Sequence, residues 1–364
     1  MQLKRIIISL IGSVLLAGNV LASTSNSGGF LLDKVSARSA ALSAGVGDIG
    51  GVDILSWNPG GIYRAEEIML ELTHYTGVNN KNNIEQLCVL YPGILGGTIG
   101  GKVYYEWLEK FKKIESGEEK EEVEYKNLYI DLAYSYNLYD ILGLGVGVKL
   151  IDSKLLKYES KGLAVDIGIS SQLWEFLSVG LVVENIGEMQ EYAEEKDSLP
   201  LQLSVGVVLS QGISELHKIK VLLDASQELV EEQELHIRVG AEYELLEMLS
   251  LRVGYRIEEK EKDNLSVGGG IKYEGLGLDY AYQPHEELGE MHRISLSYGI
   301  NVKKCCREKK VVKAKESVKK VKSVKQEKVE ESKVSEETKA KSEESKSEES
   351  KAKPEGVKPE QSKA

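Results

Sequence analysis

Gly45-Val46-Gly47-Asp48-Ile49-Gly50 has the G-x-G-x-x-G spacing that lets a strand-to-helix turn cradle a pyrophosphate. That chemistry needs a strand before the glycines and a helix after them. Here Ala and Ser precede the run, and Gly51, Asp53 and Pro59 follow it, so nucleotide binding is not expected. The five histidines at 74, 217, 236, 285 and 292 lack metal-ligand spacing. No G-x-S-x-G elbow, Walker motif or paired carboxylates stand out, and no nucleophile has an evident base. The expectation is a non-enzyme with no cofactor and no metal. Charged residues that recur on one face of successive strands are a better lead: Lys218, Lys220, Asp224, His236, Arg238, Glu242, Arg252 and Arg256.

The elements that carry those charges are read from alternation. In Leu163 to Leu173 the odd positions are Leu, Val, Ile and Ile, and the even positions are Ala, Asp, Gly, Ser and Gln. Leu235 to Tyr243 sets Leu, Ile, Val, Ala and Tyr against His236, Arg238, Gly240 and Glu242. Leu251, Val253, Tyr255 and Ile257 oppose Ser250, Arg252, Gly254 and Arg256, and Ile294, Leu296, Tyr298 and Ile300 oppose Arg293, Ser295, Ser297 and Gly299. A period of two over about ten residues fits a tilted membrane-spanning strand. A soluble sandwich also alternates, but its wet face has no need of Gly and Ser, whereas a crowded lumen does. Val165, Ile167, Val239 and Val253 are therefore expected to face lipid, and the charges to face inward. There they fit either cross-strand ion pairs that hold the wall or a substrate path. Glu242 or Glu244 should meet Arg252 across the tight hairpin at Leu245 to Met248.

About fourteen such runs lie between Glu66 and Ile300, an even number, so both chain ends are expected on the periplasmic side. Short turns fall near Tyr139 to Leu142, Trp174 to Phe176, Leu245 to Met248 and Glu274 to Gly275. Longer polar loops fall at Gly77 to Asn83, Glu109 to Glu124, Glu188 to Leu199, Glu258 to Asp263 and Pro284 to Glu290. Tyr129, Tyr134, Tyr136, Tyr139, Trp174, Phe176, Tyr280, Tyr282 and Tyr298 lie near run ends, where an aromatic girdle belongs. Pro92, Gly96, Gly97 and Gly100 cluster near the second hairpin. Such residues weaken ladders, so they mark either a kink opening a side path or a short turn.

Composition agrees with a wall of strands. Eighteen Tyr and 36 Gly accompany only 3 Phe and 3 Trp. The last 62 residues hold 20 basic and 13 acidic side chains, so a chain of net −12 carries −19 in its first 302 residues. A body this acidic argues against nucleic acid. Residues 1–22 read as a secretory signal peptide: Lys4 and Arg5, an apolar run from Ile6 to Ala17, then Val20-Leu21-Ala22. No Cys lies near Ala22, which argues against a lipoprotein anchor. Residues 23–65 form a lead-in, 66–302 the barrel, and 303–364 a Lys/Glu/Ser-rich tail too polar to fold alone, expected to be disordered in the periplasm. Cys88, Cys305 and Cys306 cannot build a disulfide framework.

The lead-in carries a resemblance. Ser36-Ala37-Arg38-Ser39-Ala40-Ala41-Leu42, Gly45-Val46-Gly47-Asp48 and Asp53-Ile54-Leu55-Ser56-Trp57-Asn58-Pro59-Gly60-Gly61-Ile62 resemble the opening of the PorV/PorQ family. That pattern runs Gly-Ala-Arg-Ala, Gly-Met-Gly, Trp-Asn-Pro-Ala-Gly-Leu, so Ser36 and Gly60 are departures. The likeness continues through residues 161–168 and 183–187 and ends with Asp279 to Tyr282 and His292 to Tyr298. The resemblance implies a FadL-like, fourteen-stranded barrel of the bacterial outer membrane, with Ser36 to Ile62 closing the lumen as a plug. Arg38, Asp48, Asp53, Trp57, Asn58, Pro59 and Gly60 are its motif residues. Two activities remain open: transport of small hydrophobic molecules, or a PorV-like scaffold or shuttle whose partners are secretion-system proteins. An apolar lumen pocket would favour transport, and a filled lumen the scaffold.

Overall fold

In the computed structural model the described residues are 28–300, apart from 78–80, 110, 116–117, 157, 191–198, 230–234, 258–263 and 285–288. The expected signal peptide and tail, with Cys305 and Cys306, lie outside them. Sixteen strands follow one another: β1 Ile68–Gly77, β2 Asn82–Ile94, β3 Gly97–Leu108, β4 Phe111–Glu115, β5 Glu118–Val123, β6 Tyr125–Leu138, β7 Leu142–Leu155, β8 Tyr158–Trp174, β9 Leu177–Met189, β10 Gln202–Ser214, β11 His217–Glu228, β12 Leu235–Leu245, β13 Leu249–Ile257, β14 Leu265–Tyr273, β15 Leu276–Gln283 and β16 Met291–Ile300. Fourteen of them close an all-antiparallel barrel in sequence order, with β16 returning to β1. Closure leaves no unpaired edge. β4 and β5 form a separate hairpin inside what reads as the polar loop at 109–124. With eight of their eleven residues charged, they have no apolar face for alternation to reveal.

The parity expected of the wall is seen along most of the described strands, but it shifts at the bulges between β8 and β9, where Glu184 and Asn185 are both buried and Leu173 turns inward. Leu163, Ile167, Leu251, Val253 and Ile257 are exposed on the outside, while Ala164, Asp166, Glu242 and Arg252 are buried inside. Most apolar side chains stand outward on the pleat and most charged ones inward, the distribution expected where lipid meets the outer face, while Ile84, Leu90, Ile151, Val182, Val208 and Leu222 are turned inward. Tyr136, Tyr139, Trp174, Phe176, Tyr280 and Tyr298 are exposed as a girdle requires. Tyr129 is a correction. It points inward, is 1 % exposed, and stacks on Tyr104 with ring centroids 4.7 Å apart. Tyr suits either face of a strand, and only the register of β6 decides which.

The wall begins and ends at the short-turn end, where Ile68 lies opposite Ile300. The chain leading into it does not. Gly28 sits beside Leu199 and Pro200, in the connection between β9 and β10 at the opposite end. The two chain ends, expected on one side, lie outside the described residues, but the strand array opens and closes at one end of the wall while the first described residue lies at the other. The reason is that residues 28–65 run the length of the lumen before β1 starts.

Candidate functional site

Residues 28–65 line their path with short elements: 3-10 turns at Gly29–Leu32, Asp53–Ser56 and Pro59–Arg64, and one helix, α1, Ala37–Leu42. α1 ends at Ser43 in the left-handed region, φ 58°. Its small side chains let it lie against the wall. Ala37, Ala40 and Ala41 cluster with Ala281 of β15, and the Ala37 amide donates to Ser295 Oγ of β16 at 2.9 Å. The lead-in reads as small-residue filler in the sequence, yet it buries Leu42, Val46, Ile54, Leu55, Trp57 and Ile62 almost completely. A segment rich in Gly, Ala and Ser thus still covers apolar area.

The motif residues form the joints. Asn58 is extended, φ −159° and ψ 110°, as the Pro59 ring dictates. Its side chain accepts from the Gly60 amide at 2.8 Å, and its amide nitrogen donates to Val46 O, Ile169 O and Ser170 Oγ at 3.0–3.1 Å. One side chain thus ties the turn to the lead-in and to β8. Trp57 donates from Nε1 to Ser39 Oγ at 2.9 Å. The inward glycines are where this backbone meets the wall. A Cβ on Gly240 would lie 2.5 Å from Leu42 O, and one on Gly254 2.6 Å from Leu42 C. What crowds the lumen is the lead-in's own main chain.

Arg38 is the electrostatic centre. It donates to Asp53 Oδ2 and Asp48 Oδ2 at 2.8 Å each, and to Glu242 Oε2 of β12 at 2.9 Å. Glu242 also receives Arg252 Nε of β13 at 2.6 Å, its register partner across the tight hairpin. Arg252 continues to Asp279 of β15. Lys220 of β11 reaches Asp48 Oδ1 at 3.1 Å, and Asp224 accepts the Gly45 and Val46 amides at 2.6 and 2.9 Å. So Glu242 and Arg252 join Arg38, Asp48 and Asp53 in one network. Arg238 instead donates to Ser226 Oγ at 2.8 Å, His236 lies 3.8 Å from Glu228, and the Arg256 amide donates to Asn264 O at 2.9 Å. These three stand nearer the long-connection end, away from Arg38, and Arg256 there lies close enough to Asp33 of the lead-in to attract its carboxylate. Lys220 and Asp224 stand on that inward face too, but which of its charges meet the lead-in needs three-dimensional register.

A cavity of about 280 Å³ opens beside this network, lined by Arg38, Asp48, Glu71, Glu242 and Arg252 among others. It is too charged to suit an apolar molecule. On the outer face a notch of about 440 Å³ lies over Gly269, walled by Tyr243, Leu251, Ile271, Leu278 and Tyr280. At Pro92 and Ile94 the ladder shifts register, and Leu95–Gly96 makes the turn. From Gly97 through Gly100 β3 stays paired on both sides, with β2 and β6. Pro92 and Gly96 therefore shape a turn, and Gly97 and Gly100 sit in an unbroken wall.

Burial opposes ionisation of Asp48, but Lys220 and Arg38 outweigh it and hold the carboxyl at about 2. A folded value below the ordinary 3.8 means that its charge stabilises the docked lead-in above about pH 4, and that this is lost as pH falls towards 2. The contribution is roughly 2 kcal/mol. In a Trp107→Phe/Trp174→Phe background, acrylamide quenching of Trp57 should rise between pH 4 and 2, and Asp48→Asn should flatten that rise.

The fold and its occupied interior define a class: a closed fourteen-stranded antiparallel barrel with a chain segment threaded through its lumen. Among solved structures, the chain is similar to the toluene transporter TodX of Pseudomonas putida, with TM-score 0.55 and 12% identity over 77% of this chain and 99% of that one. It is also similar to the CymD monoaromatic hydrocarbon channel, with TM-score 0.50 and 12% identity over 73% and 97%. No protein-family model matches the chain, and no curated protein matches it by sequence.

Proposed function

We propose that this chain is a FadL-like transporter of the bacterial outer membrane that passes small hydrophobic molecules, with Ser36 to Ile62 as its plug. The carrying observation is the Arg38 network, which bridges a lumenal segment to the wall through ionic contacts and not through continuous strand pairing. Contacts of that kind separate without breaking the ladder. The fold shared with a toluene transporter and a hydrocarbon channel supports the same reading. Placement of the Trp57-Asn58-Pro59 turn at the plug's anchor supports the finer assignment to PorV/PorQ. In this reading residues 1–22 direct export and the wall's short turns face the periplasm.

A second reading, the PorV-like scaffold for secretion-system proteins, draws on the other end of the lumen, where Phe30, Leu31 and Val35 fill the interior against the wall. Deleting Ser36 to Trp57 separates the two. Single-channel conductance in planar bilayers is measured beside heat-modifiable gel mobility. Transport predicts larger conductance in a barrel that still shifts on heating. Unchanged conductance in a folded barrel would remove the plug and leave the scaffold.

A further inference from the structure

Building on the transport reading, the interior offers an apolar molecule few places to rest. The cavity at the short-turn end is lined by charge. At the other end the wall turns apolar side chains inward: Ile84, Tyr104, Tyr129, Ile151, Met189 and Met291. That space is filled by the chain itself. Phe30 enters it from the lead-in, its ring 6.1 Å from Tyr104 and 6.3 Å from Tyr129. The turn that carries it, Gly29–Leu32, has no side-chain cap hydrogen bond. Phe30 is thus a single ring on a lightly held turn, placed in a box of rings and thioethers. Thioethers repack readily around a different shape.

The wall of the box carries unmet polar groups: the Tyr104 hydroxyl and, on its register partner in β2, both side-chain polar atoms of the buried Gln86. Tyr104 is fully buried, and its hydroxyl has no hydrogen-bond partner. A buried hydroxyl left unpaired costs free energy, and a phenylalanine ring cannot satisfy it. Two residues along the same face of β3, the Glu106 carboxylate receives Asn127 Nδ2 at 2.8 Å and the Tyr125 hydroxyl at 3.2 Å. A second anion beside it would be repelled. Cations stand close as well, with Lys102 Nζ 5.2 Å from the Tyr129 ring and Arg293 Cζ 4.6 Å from the Tyr75 ring, so a box flanked by both signs and offering a vacant hydroxyl favours a ligand without net charge.

We propose that the Phe30 box is a ligand site for a neutral aromatic molecule bearing one hydrogen-bonding oxygen, which displaces Phe30 and accepts from the Tyr104 hydroxyl. Phe30 is the built-in occupant that holds the site shut when no ligand is present. A site whose competent state is only partly populated binds its ligand more weakly by that fraction. Removing the occupant should therefore tighten binding, and removing the hydroxyl should erase the preference for oxygen.

The test uses the full-length barrel in detergent, with p-cresol, toluene and decanoate as probes and calorimetric titration as readout. Wild type should prefer p-cresol to toluene by about tenfold, the worth of one neutral hydrogen bond, and should bind decanoate least. Phe30→Ala should bind both rings about tenfold more tightly. The isosteric Tyr104→Phe, which leaves packing intact, should bind p-cresol and toluene alike. The proposal is overturned if Phe30→Ala binds p-cresol no better than wild type, or if Tyr104→Phe keeps the preference. Its failure is distinct from that of transport: a deletion barrel that opens while p-cresol ignores Phe30 and Tyr104 removes only this site. A site that behaves as described in a barrel whose deletion never opens removes only the passage.

Discussion

Replacing Arg38 by methionine should expel the lead-in from the lumen while the wall stays folded. Arg38 meets three carboxylates, Asp48, Asp53 and Glu242, whose side chains are each about 5 % exposed or less. Its loss leaves them unequally served. Asp48 keeps Lys220 and Glu242 keeps Arg252, but Asp53 is left with the Ser39 hydroxyl at 3.2 Å. Breaking a buried pair by removing one partner costs about 3–5 kcal/mol, because the remaining charge is stranded in low dielectric. Lysine is no substitute, since a single ammonium cannot present the planar fork that reaches three acceptors. The wall is spared because Glu242, Arg252 and Asp279 still link β12, β13 and β15. The expected readouts are larger conductance and protease cleavage within residues 28–65, with heat-modifiable mobility unchanged. Asp53→Asn added to Arg38→Met should recover part of the docking, because the stranded charge is gone. A barrel that stays occluded and uncleaved would mean that the buried apolar residues of the lead-in, not its ion pairs, hold it.

How far the sequence speaks depends on whether neighbours in space are also neighbours in register. The wall is legible because parity is redundant: every residue of a strand votes for the same face, and one slip would invert them all. Glu242 with Arg252 is legible for the same reason, since a tight hairpin fixes their register. Arg38 with Glu242 is not, because 204 positions separate them and nothing local places a lead-in against a particular strand. The lead-in itself is half legible. Pro59 fixes the backbone at Asn58, but Leu42, Val46, Ile54 and Ile62 follow no period that would announce their burial. Inward glycines point correctly to crowding without saying what does the crowding. Tyr129 fails as a girdle residue because its stacking partners, Tyr104 and Phe30, come from distant segments.

Two adjacent positions of β8 should separate the lipid-facing side from the lumen-facing side most sharply. Ile167 points outward and is 51 % exposed, paired with Val146 and Val183 in the middle of the wall. Ile167→Arg places a charge in hydrocarbon, at a cost of about 2–4 kcal/mol near the bilayer midplane. It should lower the urea midpoint for folding into lipid vesicles and leave the conductance of the folded fraction unchanged. Gly168 points inward, between Gly145 and Val182. A Cβ there would collide with Asn58 Oδ1 and lie 3.0 Å from the Gly60 nitrogen and from Pro59 Cδ. Those atoms belong to a rigid turn, so the added side chain cannot be accommodated by a rotamer change. Gly168→Leu should weaken docking of the lead-in by about 1–3 kcal/mol, as overpacking does, and raise conductance with little effect on wall folding. The two variants thus have opposite signatures one residue apart. If Ile167→Arg folds like the wild type while Gly168→Leu prevents folding altogether, the outer face is not in lipid, and the wall is a soluble barrel built around its lumenal segment.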